Sequence, residues 1–313
     1  MKVAITGGAG FIGSNLVRTL ATRASVDEIV VLDDLSTGFA ANLDGTAATF
    51  VHGSILDEAM LARVLEGAGA VVHLAARPSV PRSIAEPMAT HEANATGTLR
   101  VLEAARALAD PLVIVASSSS VYGANPILPK VETMAPMPMS PYAVSKLAAE
   151  QYAMAYRHSY GLRSLAFRFF NVFGPRQAAG HAYAAVVPAF VAAALAGESL
   201  SVHGDGTQTR DFTYVGTVCD VIATAIEGGI VAEWPVNLAF GTRTDILGLV
   251  ALLESVLGRR LDLAFEPRRT GDVRYSQADG SALQALFPGV VPVPLAEGLA
   301  TTIDWMEQSA AVD

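Results

Sequence analysis

The sequence predicts an α/β fold in which a smaller α/β region follows a doubly wound parallel sheet. In the first half of the chain, short apolar runs alternate with alanine-rich stretches that are long enough for crossover helices. A glycine-rich turn joins the first apolar run to a helical stretch. After Phe173 the alternation ends, and the loop signals Gly174-Pro175 and Gly204-Asp205-Gly206 separate shorter segments.

Five apolar runs are the predicted strands. Strands that are covered by helices on both faces of a parallel sheet are apolar throughout rather than alternating, and these runs have that character. They lie at residues 3–5, 29–32, 70–74, 111–116 and 164–169. Helices are predicted at residues 14–20, 182–196 and 247–257.

Composition excludes several classes of protein. The chain has 313 residues, of which 51% are hydrophobic and 16% charged, so we expect one large or two modest globular domains. A formal charge of −9 repels a phosphate backbone and argues against a nucleic-acid partner. The single cysteine, Cys219, suits a buried thiol in a reducing compartment. Since we find neither a signal peptide nor a run of about 20 apolar residues, we expect a cytoplasmic protein without a membrane partner.

The glycine-rich turn spans residues 7–13. Gly7 permits a tight bend, Gly10 lets a pyrophosphate approach the N–H groups at the helix terminus, and Gly13 allows the helix to pack closely on the strand. Asp33 ends the second predicted strand, twenty residues after Gly13, where a carboxylate accepts hydrogen bonds from an adenosine ribose. Because this carboxylate would repel a 2′-phosphate, the sequence predicts NAD rather than NADP as cofactor.

Tyr142 and Lys146 lie four residues apart, which places them on one face of a helix. Ser140 is a favourable N-cap and Pro141 a favourable first residue, so we expect a helix to begin there. A cationic amine near a phenol favours the phenolate. We therefore expect Lys146 to lower the pKa of Tyr142 from about 10 and to make it a base near neutral pH.

A run of serines follows the predicted strand at residues 111–116. Residues 117–123 read Ser-Ser-Ser-Ser-Val-Tyr-Gly. In a doubly wound sheet, ligands bind beyond the carboxyl ends of the strands. The serine hydroxyls are therefore expected to face the substrate together with Tyr142.

These residues resemble the extended short-chain dehydrogenase/reductase family that acts on sugar nucleotides, and the resemblance covers nearly the whole chain. Within that family the chain is most similar to the UDP-hexose 4-epimerases, especially the branch that accepts N-acetylated sugars. The family motifs are residues 7–13, 33–38, 73–76, 117–123, Tyr142 with Lys146, 168–176, 204–212 and 270–274. Residues 79–83 and 182–188 carry the likeness to the epimerase branch.

The resemblance implies a Rossmann fold with two domains. Residues 1–172 and 213–242 are expected to form the NAD-binding domain. Residues 173–212 and 243–313 are expected to form the smaller sugar-nucleotide-binding domain. The family also implies NAD as cofactor, a UDP-sugar substrate, a homodimer and no metal ion.

Individual roles follow from the same resemblance. Tyr142 takes the proton of the sugar 4-hydroxyl, Ser118 hydrogen-bonds the reacting oxygen, and Lys146 also holds the nicotinamide ribose. The other cofactor-binding residues implied are Gly7, Gly10, Phe11, Ile12, Asp33, Asp34, Ser36, Thr37, Gly38, Ser54, Ile55, Leu74, Ala75, Ala76, Asn94, Ser117 and Phe169. The other substrate-binding residues implied are Arg77, Ser79, Arg82, Ser119, Ser120, Asn171, Ala185, Val186, Val202, His203, Arg210, Arg269, Asp272 and Ser276.

Within this substrate set the resemblance separates two regions. The diphosphate is expected at Asn171, Arg210 and Arg269, because a guanidinium fork can donate two hydrogen bonds at once, with Asp272 at a ribose or at these arginines. The uracil pocket is expected at Ala185, Val186 and Val202.

Departures from the family pattern bear on the reaction. Ser119 and Ser120 stand where 4,6-dehydratases carry an aspartate and a glutamate, and UDP-glucuronate decarboxylases keep the glutamate at position 120. Without these carboxylates, elimination and decarboxylation lose their proton carrier. Ser276 replaces a bulky tyrosine of epimerases that are restricted to unacetylated hexoses, so a 2-acetamido group should fit. Ser54 stands where many relatives have an aspartate that contacts adenine.

The sequence therefore predicts an isomerase, an NAD-dependent 4-epimerase that acts through a transient 4-keto sugar. Its expected substrates are UDP-glucose and UDP-galactose, together with UDP-N-acetylglucosamine (UDP-GlcNAc) and UDP-N-acetylgalactosamine. A UDP-glucuronate 4-epimerase is the alternative, since Arg77 or Arg82 could face a C6 carboxylate. Another sugar-nucleotide dehydratase or reductase, and a non-catalytic sugar-nucleotide sensor, are the remaining alternatives.

Overall fold

The strands of the protein pair into one large sheet and three small ones. The structure is a computed structural model and describes residues 1–179, 185–268 and 274–310. In chain order the strands are β1 (Lys2–Thr6), β2 (Glu28–Asp33), β3 (Thr49–His52), β4 (Ala70–His73), β5 (Leu112–Ser118), β6 (Ser164–Phe169), β7 (Val172–Phe173), β8 (Leu200–His203), β9 (Thr209–Arg210), β10 (Thr213–Tyr214), β11 (Val236–Leu238), β12 (Thr244–Asp245) and β13 (Leu263–Glu266).

The large sheet has seven strands in the order β11-β6-β5-β4-β1-β2-β3, and every neighbouring pair is parallel. The strand order changes direction between β4 and β1. At such a switch point a crevice forms outside the carboxyl ends of the strands, which is where ligands bind in open α/β sheets. The arrangement confirms the doubly wound parallel sheet that the sequence predicts.

All five predicted strands are present in the large sheet, but the sequence patterns missed its other two strands, β3 and β11, and the strands of the small sheets. β3 is an edge strand in which Thr49 and His52 are exposed, so it lacks the continuous apolar run of a buried strand. β11 has three residues, and the central one is the buried Asn237. Its amide oxygen accepts a hydrogen bond from the Tyr122 hydroxyl at 2.7 Å, which satisfies the polar group inside the protein.

Helices cover both faces of the large sheet. In chain order the helices are α1 (Phe11–Leu20), α2 (Glu58–Leu65), α3 (Val80–Ala85), α4 (Pro87–His91), α5 (Gly97–Arg106), α6 (Pro141–Tyr160), α7 (Val186–Ala196), α8 (Val215–Gly228), α9 (Ile246–Leu257), α10 (Ser281–Leu286) and α11 (Leu295–Ala310). Alternate residues of β1 point to opposite faces, so Val3 and Ile5 pack with α1 and α8, whereas Ala4 packs with α2, α5 and α6.

Four of these helices, α1, α6, α7 and α9, correspond to predicted ones. α1 and α9 occupy the predicted ranges closely. α7 covers the second part of the predicted helix at residues 182–196; its N-cap is Ala185, and residues 182–184 lie outside the described part of the chain.

A separate hydrophobic cluster lies in the second half of the chain. Phe190 of α7, Leu249 and Leu253 of α9 and Leu299 of α11 are buried together in it. α10 packs elsewhere, because Leu283 joins the cluster on the large sheet. The domain division at residues 172, 213 and 243 stays a prediction.

Cys219 is fully buried in α8, and burial raises the pKa of its thiol, as suits a small apolar core residue.

Among the described helices none has the length and apolar character required to cross a membrane. Within the same ranges, no group of histidine, cysteine, aspartate and glutamate side chains is arranged to hold a metal ion.

Gly13→Ala should destabilise the fold, because the close approach of α1 to the turn leaves no room for a methyl group. A Cβ there would overlap the Gly7 carbonyl oxygen and lie 2.6 Å from the Gly8 Cα. We expect a loss of about 1–3 kcal/mol in the free energy of unfolding, measured by urea denaturation. Gly289→Ala is the matched control, since a Cβ at Gly289 meets nothing within 4 Å. Equal losses in the two variants would contradict the packing argument.

Candidate active site

A cavity of about 630 Å³ opens outside the carboxyl ends of the strands, at the switch point of the sheet. It brings together most of the residues that the sequence assigned to the cofactor and the reacting sugar. Of those residues, the ones that line it are Gly7, Gly10, Phe11, Ile12, Asp33, Asp34, Ser36, Thr37, Ser54, Ile55, Leu74, Ala75, Ala76, Arg77, Ser117, Ser118, Tyr142, Lys146, Phe169 and Asn171.

The glycine-rich turn has the geometry of a pyrophosphate cradle. Gly7 has a φ of +75°, which glycine adopts without strain, and its N–H donates to the Leu32 carbonyl at 2.8 Å. Gly10 is the N-cap of α1, and it has no side chain that would keep a pyrophosphate away from the helix terminus. The N–H groups of the first helical turn have no partner within the helix. Because Phe11 and Ile12 line the cavity, a phosphate can accept hydrogen bonds from this terminus.

The Asp33 carboxylate is fixed beside this turn by backbone N–H groups. Its Oδ2 accepts from Ala9 at 2.9 Å and its Oδ1 from Leu35 at 2.8 Å. Burial raises the pKa of Asp33, and these hydrogen bonds oppose the rise. Each carboxylate oxygen keeps a further lone pair for a ribose hydroxyl. The turn and the carboxylate therefore fit NAD, as the sequence predicts.

Helix α6 begins at Pro141, as predicted. The Ser140 hydroxyl caps the helix by accepting a hydrogen bond from the Ala143 N–H at 3.1 Å. The cap fixes the first turn, which carries Tyr142, and Lys146 lies one turn further on the same face. Both side chains reach the cavity wall.

The ionisation of this pair differs from the sequence expectation. The Lys146 Nζ donates to the Ala116 carbonyl at 2.9 Å, and burial lowers the pKa of Lys146 to about 8. Burial raises the pKa of Tyr142, and a hydrogen bond with Ser118 offsets this only in part. The expectation that Lys146 lowers the pKa of Tyr142 is wrong for the protein alone, because the buried phenol loses its hydration and the ammonium bonds a carbonyl instead.

The serine segment turns sharply at the end of β5. The Ser117 hydroxyl points away to α6, whereas the Ser118 hydroxyl accepts a hydrogen bond from the Ser120 N–H at 3.2 Å and caps a 3₁₀ turn. Ser119 and Ser120 lie in this turn and line neither of the cavities described here, so their assignment to the substrate is not supported. The Ser120 Oγ is buried and has no hydrogen-bond partner among the described residues.

A second cavity, of about 220 Å³, adjoins the first and shares Asn171 and Val172 with it. Arg210 brings a cation to its wall and donates from Nη1 to the Thr209 carbonyl at 2.9 Å. The expected substrate residues that line this cavity are Asn171, Ala185, Val186, His203 and Arg210.

Val202 does not line the second cavity, contrary to the expectation. Side chains alternate along β8, so Ser201 and His203 face the cavity, while Val202 is fully buried in the hydrophobic cluster formed by α7, α9 and α11. Ser276 lines neither cavity, and its N–H donates to the Thr209 carbonyl at 3.1 Å. The predicted residues Arg269 and Asp272 lie outside the described residues.

Beyond β4 the chain forms one wall of the first cavity. The Arg77 guanidinium pairs with Glu86 at 3.1 Å. Ser79 has a φ of +99° and caps α3 by accepting from the Arg82 N–H at 3.3 Å. Ser79 and Arg82 line neither cavity, and their contact with the substrate stays a prediction.

Asn94 and Gly38 support the cavity wall and do not line it. Asn94 lies in a π-helical turn, accepts from the Arg77 N–H at 2.7 Å and donates to the Ser145 hydroxyl at 2.9 Å. Gly38 packs on the turn so closely that a Cβ would lie 2.8 Å from the Ala9 carbonyl carbon. Their contact with the cofactor stays a prediction.

Two glutamines at the cavities were not predicted. Gln177 lines the first cavity and Gln208 the second. Gln208 lies inside the motif at residues 204–212, and Gln177 directly follows the motif at residues 168–176. Both glutamines could have been identified from the sequence, because each is a polar side chain within or beside a family motif.

Comparison with known proteins gives a consistent set of relatives. The model of the NAD dependent epimerase/dehydratase family matches residues 3–237. UDP-glucose 4-epimerase of Mycolicibacterium smegmatis is 37% identical over 316 residues, which cover 99% of this chain and 100% of that one. Matches at a similar level include dTDP-glucose 4,6-dehydratases.

Two solved structures are similar over almost the entire chain. One is UDP-N-acetylglucosamine 4-epimerase of Methanobrevibacter ruminantium in complex with UDP-N-acetylmuramic acid, with a TM-score of 0.92, 36% identity and coverage of 98% of both chains. The other is UDP-glucuronic acid 4-epimerase of Bacillus cereus with UDP-glucuronic acid and NAD, with a TM-score of 0.90, 29% identity and coverage of 99% of this chain and 100% of that one.

The buried ammonium predicts a pH-dependent stability. The pKa of Lys146 is about 8 in the folded protein, whereas the pKa of an unfolded lysine is about 10.4. Between these two pH values the unfolded chain binds one more proton than the folded chain, so the free energy of unfolding rises with pH. Relative to Lys146→Met, the free energy of unfolding of the wild type should increase by about 2 kcal/mol from about pH 7 to about pH 9.5. Urea denaturation at each pH measures this difference. Lys2→Met is the surface control, and parallel pH profiles for wild type and Lys146→Met would contradict the prediction.

Proposed function

The chain belongs to the NAD-dependent epimerase/dehydratase family, and on that premise we propose that it inverts C4 of UDP-glucose and UDP-galactose and of their 2-acetamido counterparts. It is an isomerase of the UDP-sugar 4-epimerase group, with NAD as its cofactor. The proposal concerns which UDP-sugars it converts and which residues do so.

One observation carries the proposal. Ser118, Tyr142 and Lys146 line one cavity, and Asn171 is shared between that cavity and the one that holds Arg210. A UDP-sugar with its diphosphate near Arg210 would extend past Asn171 and bring its hexose to the hydroxyls. A small cavity with a cation in its wall, next to a larger cavity that holds the hydroxyls, suits a nucleotide joined to a sugar.

The residues divide the proton chemistry among them. Tyr142 takes the proton of the 4-hydroxyl and later returns it, while the Ser118 hydroxyl donates a hydrogen bond to the same oxygen. Lys146 carries its positive charge below its pKa of about 8 and keeps the wall next to Tyr142 cationic at neutral pH. NAD, held by the turn at Gly7 and Gly10 and by Asp33, would supply the hydride acceptor and donor for C4.

The absence of carboxylates favours epimerisation over elimination. Ser119 and Ser120 follow the catalytic hydroxyl, and a serine hydroxyl cannot act as the acid or the base of an elimination near neutral pH. A 4-keto sugar would therefore lack carboxylates at these two positions to remove the proton at C5, which favours its return to a 4-hydroxy sugar.

A UDP-glucuronate 4-epimerase is the second candidate, since Arg77 lines the first cavity. The Arg77 guanidinium already has a carboxylate partner in Glu86, at 3.1 Å. A sugar carboxylate would have to compete with that partner, so we favour neutral hexoses. Acceptance of a 2-acetamido group draws its support from the similarity to the Methanobrevibacter enzyme.

We also propose a domain division, an oligomeric state and a cellular location. Residues 1–172 and 213–242 would hold NAD, and residues 173–212 and 243–313 the UDP-sugar. A homodimer is supported by the exposed apolar residues Val144, Tyr152 and Tyr160 along α6. A cytoplasmic location is supported by the single, buried Cys219.

Product analysis tests the reaction. Incubated with UDP-glucose or with UDP-galactose, the purified protein should reach the same mixture from either side, and it should do so for the 2-acetamido pair. UDP-glucuronate should react at least about 10-fold more slowly, since its carboxylate competes with Glu86 for the cation. A 4-keto-6-deoxy product or released carbon dioxide would overturn the epimerase proposal.

Tyr142→Phe should abolish the proton step and leave binding intact. We expect kcat to fall by about 10²–10⁴-fold, while the Kd for UDP-sugar changes less than about 3-fold, measured by steady-state kinetics and by calorimetry. Tyr152→Phe is the matched control, because Tyr152 lies on the same helix with its side chain exposed. A Tyr142→Phe variant with kcat close to that of the wild type would refute the role of this phenol.

A further inference from the structure

A buried ion pair lies behind the catalytic groups. Glu150 of α6 is fully buried and Arg168 of β6 nearly so. The Arg168 Nη2 donates to Glu150 Oε1 at 2.7 Å and its Nε to Oε2 at 3.0 Å, which is the bidentate geometry of the strongest such pairs. Of the ion pairs between described residues, it alone has both side chains buried. Neither residue lines either cavity.

The carboxylate of this pair also holds the end of β5. The Ser117 hydroxyl donates to Glu150 Oε2 at 2.7 Å. One helical turn earlier, Lys146 donates to the Ala116 carbonyl. Consecutive residues of β5 are thus bonded to side chains four apart on α6, and the next residue of the strand is Ser118. The two bonds fix the distance between the strand end that carries the serine and the helix that carries Tyr142.

The guanidinium of the pair holds the segment that leaves the site. Arg168 stacks on the Tyr122 ring with its Cζ 4.7 Å from the ring centroid, and its Nη1 donates to the Glu132 carbonyl at 3.2 Å. Tyr122 ends the 3₁₀ turn that Ser118 begins. Burial acts against the charge of Arg168, but the hydrogen bonds and charge of Glu150 raise its pKa above the ordinary value. The guanidinium therefore stays charged and keeps its partners.

A pair of this kind is a poor source of net stability. Removal of two charges from water costs much of what their attraction returns, and apolar residues of similar volume often replace a buried pair without loss. Its bonds instead constrain geometry at both ends of the segment 117–122. Catalysis depends on the positions of reacting groups to within about 0.5 Å.

We propose that Glu150 and Arg168 are positioning residues, which hold the Ser118 segment against α6 so that the Ser118 hydroxyl, Tyr142 and Lys146 meet the reacting sugar in one geometry. This inference rests on the proposed epimerase function for its kinetic consequence. Its structural consequence, an ordered segment from Ala116 to Tyr122, does not depend on the reaction.

The test replaces the pair by apolar side chains. Glu150→Leu/Arg168→Met removes both charges and the acceptor of Ser117, whereas Glu150→Gln leaves Arg168 buried without a counter-charge. We expect the double variant to keep a Tm within about 5 °C of the wild type and the single variant to lose more than that. In the double variant kcat should fall by about 10–100-fold, and the KM for UDP-sugar should change less than about 3-fold.

Glu58→Leu/Arg100→Met is the matched control, since this pair joins α2 to α5 at the surface, away from both cavities. It should leave kcat unchanged. If the Glu150→Leu/Arg168→Met variant keeps both the Tm and the kcat of the wild type, the pair is only a packing feature and the proposal is wrong.

Amide hydrogen exchange, read by mass spectrometry, separates this proposal from the proposed function. In the double variant, exchange at residues 116–122 should be at least about 10-fold faster than in the wild type, with the rest of the large sheet unchanged. Unchanged exchange in this segment overturns the positioning role whatever the reaction is. A wild-type protein that fails to epimerise any UDP-sugar, combined with faster exchange in the variant, refutes the proposed function and supports the ordered segment.

Discussion

Parallel pairing brings the carboxyl ends of β1, β2, β4, β5 and β6 to one edge of the large sheet, and the first cavity depends on this arrangement. Gly7, Asp33, Leu74, Ser118 and Phe169 each end or directly follow one of these strands, and all five line the same cavity. Because the strands are apolar on both faces and held in register by their neighbours, a shift of one strand would displace its terminal residue from the cavity. The register of the strands in the core therefore sets the positions of these residues in the cavity.

Burial sets the charge of the groups around this edge. It raises the pKa of Tyr142, lowers the pKa of Lys146 to about 8 and lowers that of His73 to about 3. His73 lies between the hydroxyls of Thr6 and Thr98, at 2.7 and 2.9 Å, so it is neutral at physiological pH and ties β1 to α5. Although the chain is acidic overall, it can bind anions here, because the hydrogen-bond donors are close to the ligand. These donors are the N–H groups at the terminus of α1 and the guanidinium of Arg210 in the second cavity.

The sequence allowed the site to be predicted where one short motif sets the geometry. The turn from Gly7 to Gly13 and the helix start at Ser140 follow from local rules of bending and capping. Val202 was misassigned because the face of a short strand depends on packing against distant helices, which a motif does not contain. The raised pKa of Tyr142 could not be foreseen either, since it depends on how deeply the phenol is buried. β11 was missed because its central Asn237 is satisfied by partners that are far away in the chain.

Helix α6 joins catalysis to the core through a single row of side chains. Tyr142, Lys146 and Glu150 follow one another at intervals of four residues, about 6 Å along the helix axis, and turn by about 40° at each step. The first reaches the cavity, the second bonds the Ala116 carbonyl, and the third bonds Ser117. Neighbouring residues of a strand are only about 3.3 Å apart, so the two longer side chains must converge on the strand end. A motif that ends at the lysine omits the third member because that member contacts neither cavity, although it holds the strand that presents the catalytic serine.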